Sequence, residues 1–443
     1  MGAIKHASPP PGNRPVSPVD RLAGFGDTAL VPTTRRLIPI LAGAAFLAMP
    51  LAVLAPMQLA TLVAIAAALC AVLGWRVLRE SPHAPRMFLI PLVLLVAWMA
   101  ATALWTVDIH FTLIETARFG LMALGGLILA ASARTLDARG RQSVGGWFMA
   151  GFAAGLAILA FEIATEGLLL HSAWWVMGVD KRFIFSVTYN RATTAIAILS
   201  WPAALFFLQR KAPLIAIIAL MTGAFMVQDL QKWSSLIALF SSLVVFGAAF
   251  LSARVTARVL AAFVVLLLLV APFLPRTVLA PDAVVRAYPS IAFSEYHRIL
   301  IWDFAAKRIA ERPILGWGMN ASRVMPGGKD TAPTDIPGRT RGAGDAPVEL
   351  MPLHPHNTPL QLWLELGAPG VLLAALLAVV LLLLAARHPG GAVARAASLA
   401  TITGVIAIAS LSFSMWQSWW LGVICIAAAL LAAAAPAPER ARL

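Results

Sequence analysis

Apolar stretches long enough to cross a bilayer recur along the whole chain, divided by short polar connections. They fall near 37–55, 57–75, 87–105, 112–133, 145–165, 188–208, 214–228, 234–252, 259–275, 361–386, 396–415 and 417–435. A span takes about 17–25 residues, and most runs meet that length, the seventh being short. Lipid offers the backbone no hydrogen-bond partners, so such runs must be helices that satisfy their own N–H and C=O groups. The pattern predicts an all-α polytopic membrane protein of about twelve transmembrane helices. Only one connection, residues 276–360, is long. Within it Ile301, Phe304, Ala305 and Ile309 recur at helical spacing behind Ser294, the expected N-cap, and the run stops at Arg312-Pro313. The stretch from Pro326 to Gly344, rich in Gly, Pro, Thr and Asp, reads as a mobile flap. Asn357 and Pro359 mark the next helix start, and Gly367-Ala-Pro-Gly370 predicts a kink less than three turns later.

Charge orients the spans, because cytoplasmic loops attract Lys and Arg. One set of alternate connections carries Arg76/Arg79/Arg86, Arg134/Arg139/Arg141, Arg210/Lys211, Arg254/Arg258 and Arg387/Arg395, whereas the opposite short loops hold Lys181, Arg182 and Lys232. Both termini are therefore expected in the cytoplasm and the 276–360 loop in the periplasm; its ten basic and eight acidic residues are exempt from a rule for short loops. Trp98 and Trp105, Trp174 and Trp175, and Trp416, Trp419 and Trp420 cluster at the predicted periplasmic ends, as an interfacial belt would. Trp174 and Trp175 suit a short helix lying in the interface. The chain thus divides into a disordered, proline-rich tail (1–36), nine helices (37–275), the large loop (276–360), three helices (361–435) and a short tail (436–443).

Composition agrees: 60% hydrophobic and 12% charged residues exclude a soluble protein of this length. The net charge of +14 reflects topology, so nucleic acid is not an expected partner. Cys70 and Cys425 lie mid-way along apolar runs and do not suggest a disulfide or a zinc site. No G-x-x-x-x-G-K-[ST] or D-x-D occurs, and no carboxylates accompany His354 and His356 at metal-ligand spacing, so neither a metal nor a cofactor is expected.

Ionisable groups at membrane depth are costly unless paired or hydrated, which makes them functional candidates. Arg191, Lys232, Arg298 and His356 all fall at the predicted periplasmic level although scattered through the sequence. Each has a structural alternative: Arg191 as a snorkelling anchor, Lys232 as a partner of Asp229, Arg298 as a partner of Glu295, His356 as a loop residue. Glu115 and Arg118, three apart, suit an intrahelical ion pair. Glu162 has no evident role, and Gly316-Trp-Gly318 after Pro313 reads as a turn.

Two segments carry a resemblance. One is Arg298-Ile-Leu-Ile-Trp302, continuing to Pro313-Ile-Leu-Gly316-Trp-Gly318. The other is His356-Asn357, nine residues, then Gly367-Ala-Pro-Gly370, which fits the H-[NSQ]-x9-G-x-x-G pattern of the O-antigen ligase and polymerase superfamily of lipid-linked glycan transferases. The chain resembles that superfamily, with Trp302 where its R-x3-L pattern has Leu and Gln231-Lys232 where Ser-Arg is frequent. The resemblance implies a GT-C-like, inverting, metal-independent glycosyltransferase of the bacterial inner membrane, with its active site on the periplasmic side. The implied donor is a polysaccharide on undecaprenyl pyrophosphate, and the implied acceptor is lipid A–core oligosaccharide. It makes His356 the base, Arg191 and Arg298 the pyrophosphate clamps with Lys232 a further cation, and Asn357, Gly367 and Gly370 motif support. His354, outside the motif, is expected to tolerate replacement. A polymerase or a protein O-oligosaccharyltransferase would share these motifs. A secondary transporter or flippase would place its charges near the midplane and show internal repeats, which this chain lacks.

Overall fold

The computed structural model describes residues 18–80, 84–178, 188–331 and 348–436. Its α-helices are α1 (Pro18–Leu54), α2 (Gln58–Glu80), α3 (Arg86–Ala101), α4 (Ile109–Arg134), α5 (Ala138–Ala164), α6 (Leu168–Val176) and α7 (Asn190–Gln209). They continue with α8 (Pro213–Asp229), α9 (Trp233–Val270), α10 (Pro281–Ala287), α11 (Phe293–Glu311), α12 (Thr358–Ala385), α13 (Gly391–Leu411) and α14 (Ser418–Ala433). Among the described residues, nine helices are long and apolar enough to cross a membrane, and α8 and α14 are shorter apolar helices. The fold is that of an all-α polytopic membrane protein.

The eighth and ninth expected spans form one element, α9, broken at Ser252 (φ −152°, ψ 91°). Unbroken, its 38 residues would extend about 57 Å, nearly twice a bilayer core. Instead the chain doubles back. Ser235 bonds Thr193 near the start of α7 at 3.2 Å, and Leu268 O accepts from Trp363 near the start of α12 at 2.7 Å. Between them, Arg254 and Arg258 meet Leu383, Ala386 and Arg387, at the far end of α12, around a cavity of about 280 Å³. The bundle therefore has two ends, one at the starts of α7 and α12 and one at this cavity.

Close helix contacts rest on small residues, as they must where lipid gives no hydrophobic drive to association. Gly151 and Gly155 of α5 lie against Phe46 and Met49 of α1, where a Cβ would collide with backbone. Glu115 and Arg118 form the expected ion pair at 2.7 Å.

Three expectations need correction. Backbone helix begins at Pro18, within the expected disordered tail; proline is at home in a first turn, where its missing N–H costs nothing. The N-cap of α11 is Ala292, because Ser294 already lies inside the helix and its hydroxyl bonds Glu295 at 2.6 Å. Trp416, Trp419 and Trp420 do not form a lipid-facing belt: all three are buried, packed in the bundle core. Lys181 and Arg182, most of the expected flap (residues 332–347) and residues 437–443 lie outside the described residues.

Candidate active site

The site is founded on the kink in α12. Gly367 takes φ +61° and ψ −167°, interrupting the helix, and Pro369 has no N–H to donate. Carbonyls released there need other donors. Leu364 O accepts from Trp317 N at 2.8 Å, Glu365 O from Gly318 N at 2.9 Å, and Leu366 O from the Trp98 indole at 2.8 Å. In return Ala368 N donates to Pro313 O at 3.1 Å. The turn Pro313–Gly318 is thus a strap laid backbone to backbone on the break. A Cβ on Gly316 would lie 2.6 Å from Glu365 O, and one on Gly367 would collide with Ile314 O. The two motifs separated by some fifty residues are the two halves of one joint.

Beside this joint, Asn357 caps α12, its side chain accepting from Leu360 N at 3.1 Å, so the residues just before it are held in a defined turn. His356 there has φ +54°, a left-handed conformation uncommon outside glycine. Its N–H donates to His354 Nδ1 at 3.1 Å, and the two rings lie 4.2 Å apart. From the large loop, Trp302 donates to Pro355 O at 2.8 Å. Arg298, one turn earlier on α11, faces the same way, and its Nη1 donates to Leu411 O at 3.1 Å. The His356 ring bonds the next carbonyl, Ser412 O, through Nδ1 at 2.6 Å. A carbonyl only accepts, so Nδ1 carries the proton and Nε2 of the neutral ring presents its lone pair.

Residues 411–419, connecting α13 to α14, are therefore the surface on which the candidates rest. Gln417 lies 3.4 Å from the His354 ring and accepts from Trp419, over whose ring the Arg191 guanidinium sits at 5.8 Å. Arg298 lies within electrostatic reach of both Lys232 and His356, whereas Arg191 reaches this group through Trp419 and Gln417. None of the ion pairs formed among the described residues involves any of these cations, which sets aside the Lys232–Asp229 and Arg298–Glu295 pairings. Burial, then the Arg298 charge, lowers the Lys232 pKa; burial lowers that of Arg298, partly countered by Glu295. Burial lowers the His356 pKa, the Ser412 bond opposes this, and Arg298 and His297 lower it further. Burial, His356, Arg323 and Arg298 together push His354 down to about 3, so it stays neutral. A positive field countered only in part, by Glu295, favours an anion.

Two buried glutamates, one given no role by sequence reasoning and one overlooked, hold the surroundings. Glu162 accepts from Leu169 N at 2.8 Å, Leu170 N at 3.2 Å and the Tyr189 hydroxyl, capping α6 and fixing the entry to α7 just before Arg191. Glu365 accepts from Asn320 N at 2.9 Å, Gln361 Nε2 at 3.0 Å, the Ser322 hydroxyl and the Trp416 indole. An acid in the middle of an apolar run was the available signal for Glu365.

Residues 176–375 match the family model described as O-Antigen ligase. Two relatives carry the name "Putative polysaccharide ligase". One, from Rickettsia prowazekii (strain Madrid E), is 34% identical over 141 residues, 32% of this chain and 33% of its own length. Another, from Rickettsia conorii (strain ATCC VR-613 / Malish 7), is 33% identical over 141 residues, 32% of each chain. The matched part of this chain thus spans about a third of the length of these relatives. No solved structure matches. The matched region contains Arg191, Lys232, Arg298, His356 and the Gly367 break, and over residues 176–375 the chain is similar to the O-antigen ligase family.

Proposed function

We propose that this protein transfers a polysaccharide from undecaprenyl pyrophosphate to lipid A–core oligosaccharide, on the periplasmic side of the inner membrane, with inversion at the anomeric carbon. The observation that carries this reading is the anchoring of Arg298 and His356 on consecutive carbonyls, Leu411 O and Ser412 O. It joins a guanidinium and an imidazole with a free Nε2 in one rigid frame. His356 Nε2 takes the proton of the acceptor hydroxyl. The hydroxyl oxygen attacks the anomeric carbon from the face opposite the leaving group, and the bond to the pyrophosphate oxygen breaks with its electron pair. Arg298 and Lys232 meet the charge that develops there. Among the described residues Arg191 Nε is buried without a hydrogen-bond partner, a donor that a phosphate oxygen would satisfy. The linkage is already activated, so the step calls for neither nucleotide nor metal. The family match and the polysaccharide ligase name of the relatives support this class of reaction.

The test is the lipopolysaccharide pattern of a deletion strain. Loss of every ladder from core, with polymerised glycan retained on the lipid carrier, is the expected result. Single repeat units on core would replace this reading with a polymerase, and an unchanged pattern would remove the protein from the pathway.

A further inference from the structure

Glu365 makes no use of its charge in the chemistry above, yet its surroundings are unlike those of an ordinary buried acid. Oε1 accepts from Ser322 and Gln361, and Oε2 from Asn320 N and Trp416. A carboxylate offers about four acceptor positions, and here each is taken by a different donor. The residue is fully buried, and no described ion pair involves it. These donors belong to three separate pieces of chain: Asn320 and Ser322 follow the strap, Gln361 lies one turn earlier on α12, and Trp416 belongs to the 411–419 connection.

The connection is held further by the same neighbours. Gln361 Nε2 also donates to Ser414 Oγ at 2.9 Å, its Oε1 accepts from Met415 N at 3.3 Å, and Trp416 stacks edge-on against Phe119. Ser412, at the start of this pinned run, has left helical geometry (φ −138°, ψ −72°), and so its carbonyl is free to accept from His356. We infer that Glu365 is a positioning residue for the reaction, fixing the 411–419 connection so that Leu411 O and Ser412 O hold Arg298 and His356 in register. The inference rests on the proposed role of His356.

The consequence goes beyond packing. The Ser412 bond keeps the His356 proton on Nδ1, and it supports the basicity of the ring against burial and Arg298. Glu365→Gln keeps the volume but turns an –NH₂ towards two of the four donors, so the connection loses part of its anchor. Ser412 O then moves off His356, turnover falls by about 10- to 100-fold, and the imidazole becomes less basic. Since the base must be neutral, the acid limb of kcat/KM moves to lower pH.

The experiment compares pH profiles and donor affinity of the wild type, Glu365→Gln, Ser322→Ala and His356→Ala, each full length in nanodiscs with lipid-linked donor. Ser322→Ala removes a donor on the strap side only. Expected for Glu365→Gln are a lowered kcat, a shifted acid limb and a donor affinity weakened less than in Arg298→Ala, because Leu411 O shifts with Ser412 O; Ser322→Ala leaves the limb unshifted. A normal kcat in Glu365→Gln overturns the inference, and so does a lowered kcat with the limb in its wild-type place. His356→Ala separates the two claims: if it turns over normally the base assignment fails, whatever Glu365→Gln does.

Discussion

Both ends of the bundle gather cations with no described carboxylate paired to them, yet the two gatherings differ in construction. At the far end Arg254, Arg258 and Arg387 are exposed around an open cavity, in the manner of the basic loops that orient a membrane protein. At the other end Arg298 and Lys232 are half-buried, Arg298 is bonded to a loop carbonyl, and His356 shares that loop. Counting charges does not separate the ends. Fixed orientation does, because a cation contributes to a transition state only if it is already aimed when charge develops.

The contrast can be broken by substitution. The largest effect belongs to His356→Ala, with turnover lower by about 10²–10⁴-fold in single-turnover measurements. Next comes Arg298→Ala, where loss of charge-assisted bonds of about 1.5–3 kcal/mol each weakens donor binding by about 10- to 100-fold. Arg298→Lys recovers part of this, since a point charge replaces a planar fork. Titration of labelled lipid-linked donor reads both. Smaller is His354→Ala, which strands the half-buried His356 N–H at a cost of about 1 kcal/mol, the low end for a buried donor; about a tenfold drop in turnover is expected. The smallest effect is that of Arg254→Ala, Arg258→Ala and Arg387→Ala, each within about twofold of wild-type turnover. A far-end variant as damaging as Arg298→Ala would erase the distinction.

Acidity sharpens the same contrast. His356 is held below the ordinary histidine value of about 6.5, chiefly by burial, and remains neutral at physiological pH. A base works only when unprotonated, so the acid limb of kcat/KM is expected below that value. A limb well above it would show a proton held on the ring, contrary to its surroundings.

The sequence made some of this plain and hid the rest for a physical reason. Signals confined to a few neighbouring residues were legible: apolar runs long enough to span, the Asn357 cap, the Gly367–Pro369 break, the end of α11 at Arg312, and the Glu115–Arg118 pair. Contacts between distant residues were not. Arg298 meets Leu411 across 113 positions and His356 meets Ser412 across 56, through backbone carbonyls that every residue possesses. The strap was visible as a turn, but only its neighbours explain its glycines: Gly316 lies against the released Glu365 carbonyl of α12, and Gly318, at φ +106°, lies against Thr106. His354, expected to tolerate replacement, instead supports the conformation of the proposed base. The tryptophans near 416–420 read as an interfacial belt because interface and core both favour them; their burial decides between the two.

In the proposed reaction two side chains anchored side by side, His356 and Arg298, divide the labour. Donor dissociation constant and single-turnover rate, measured on the same nanodisc preparations of His356→Ala and Arg298→Ala, test that division most directly. His356→Ala is expected to bind donor within a few-fold of wild type and to fail in turnover, while Arg298→Ala loses affinity as well as rate. Near-normal turnover in His356→Ala, or undiminished donor binding in Arg298→Ala, would contradict it.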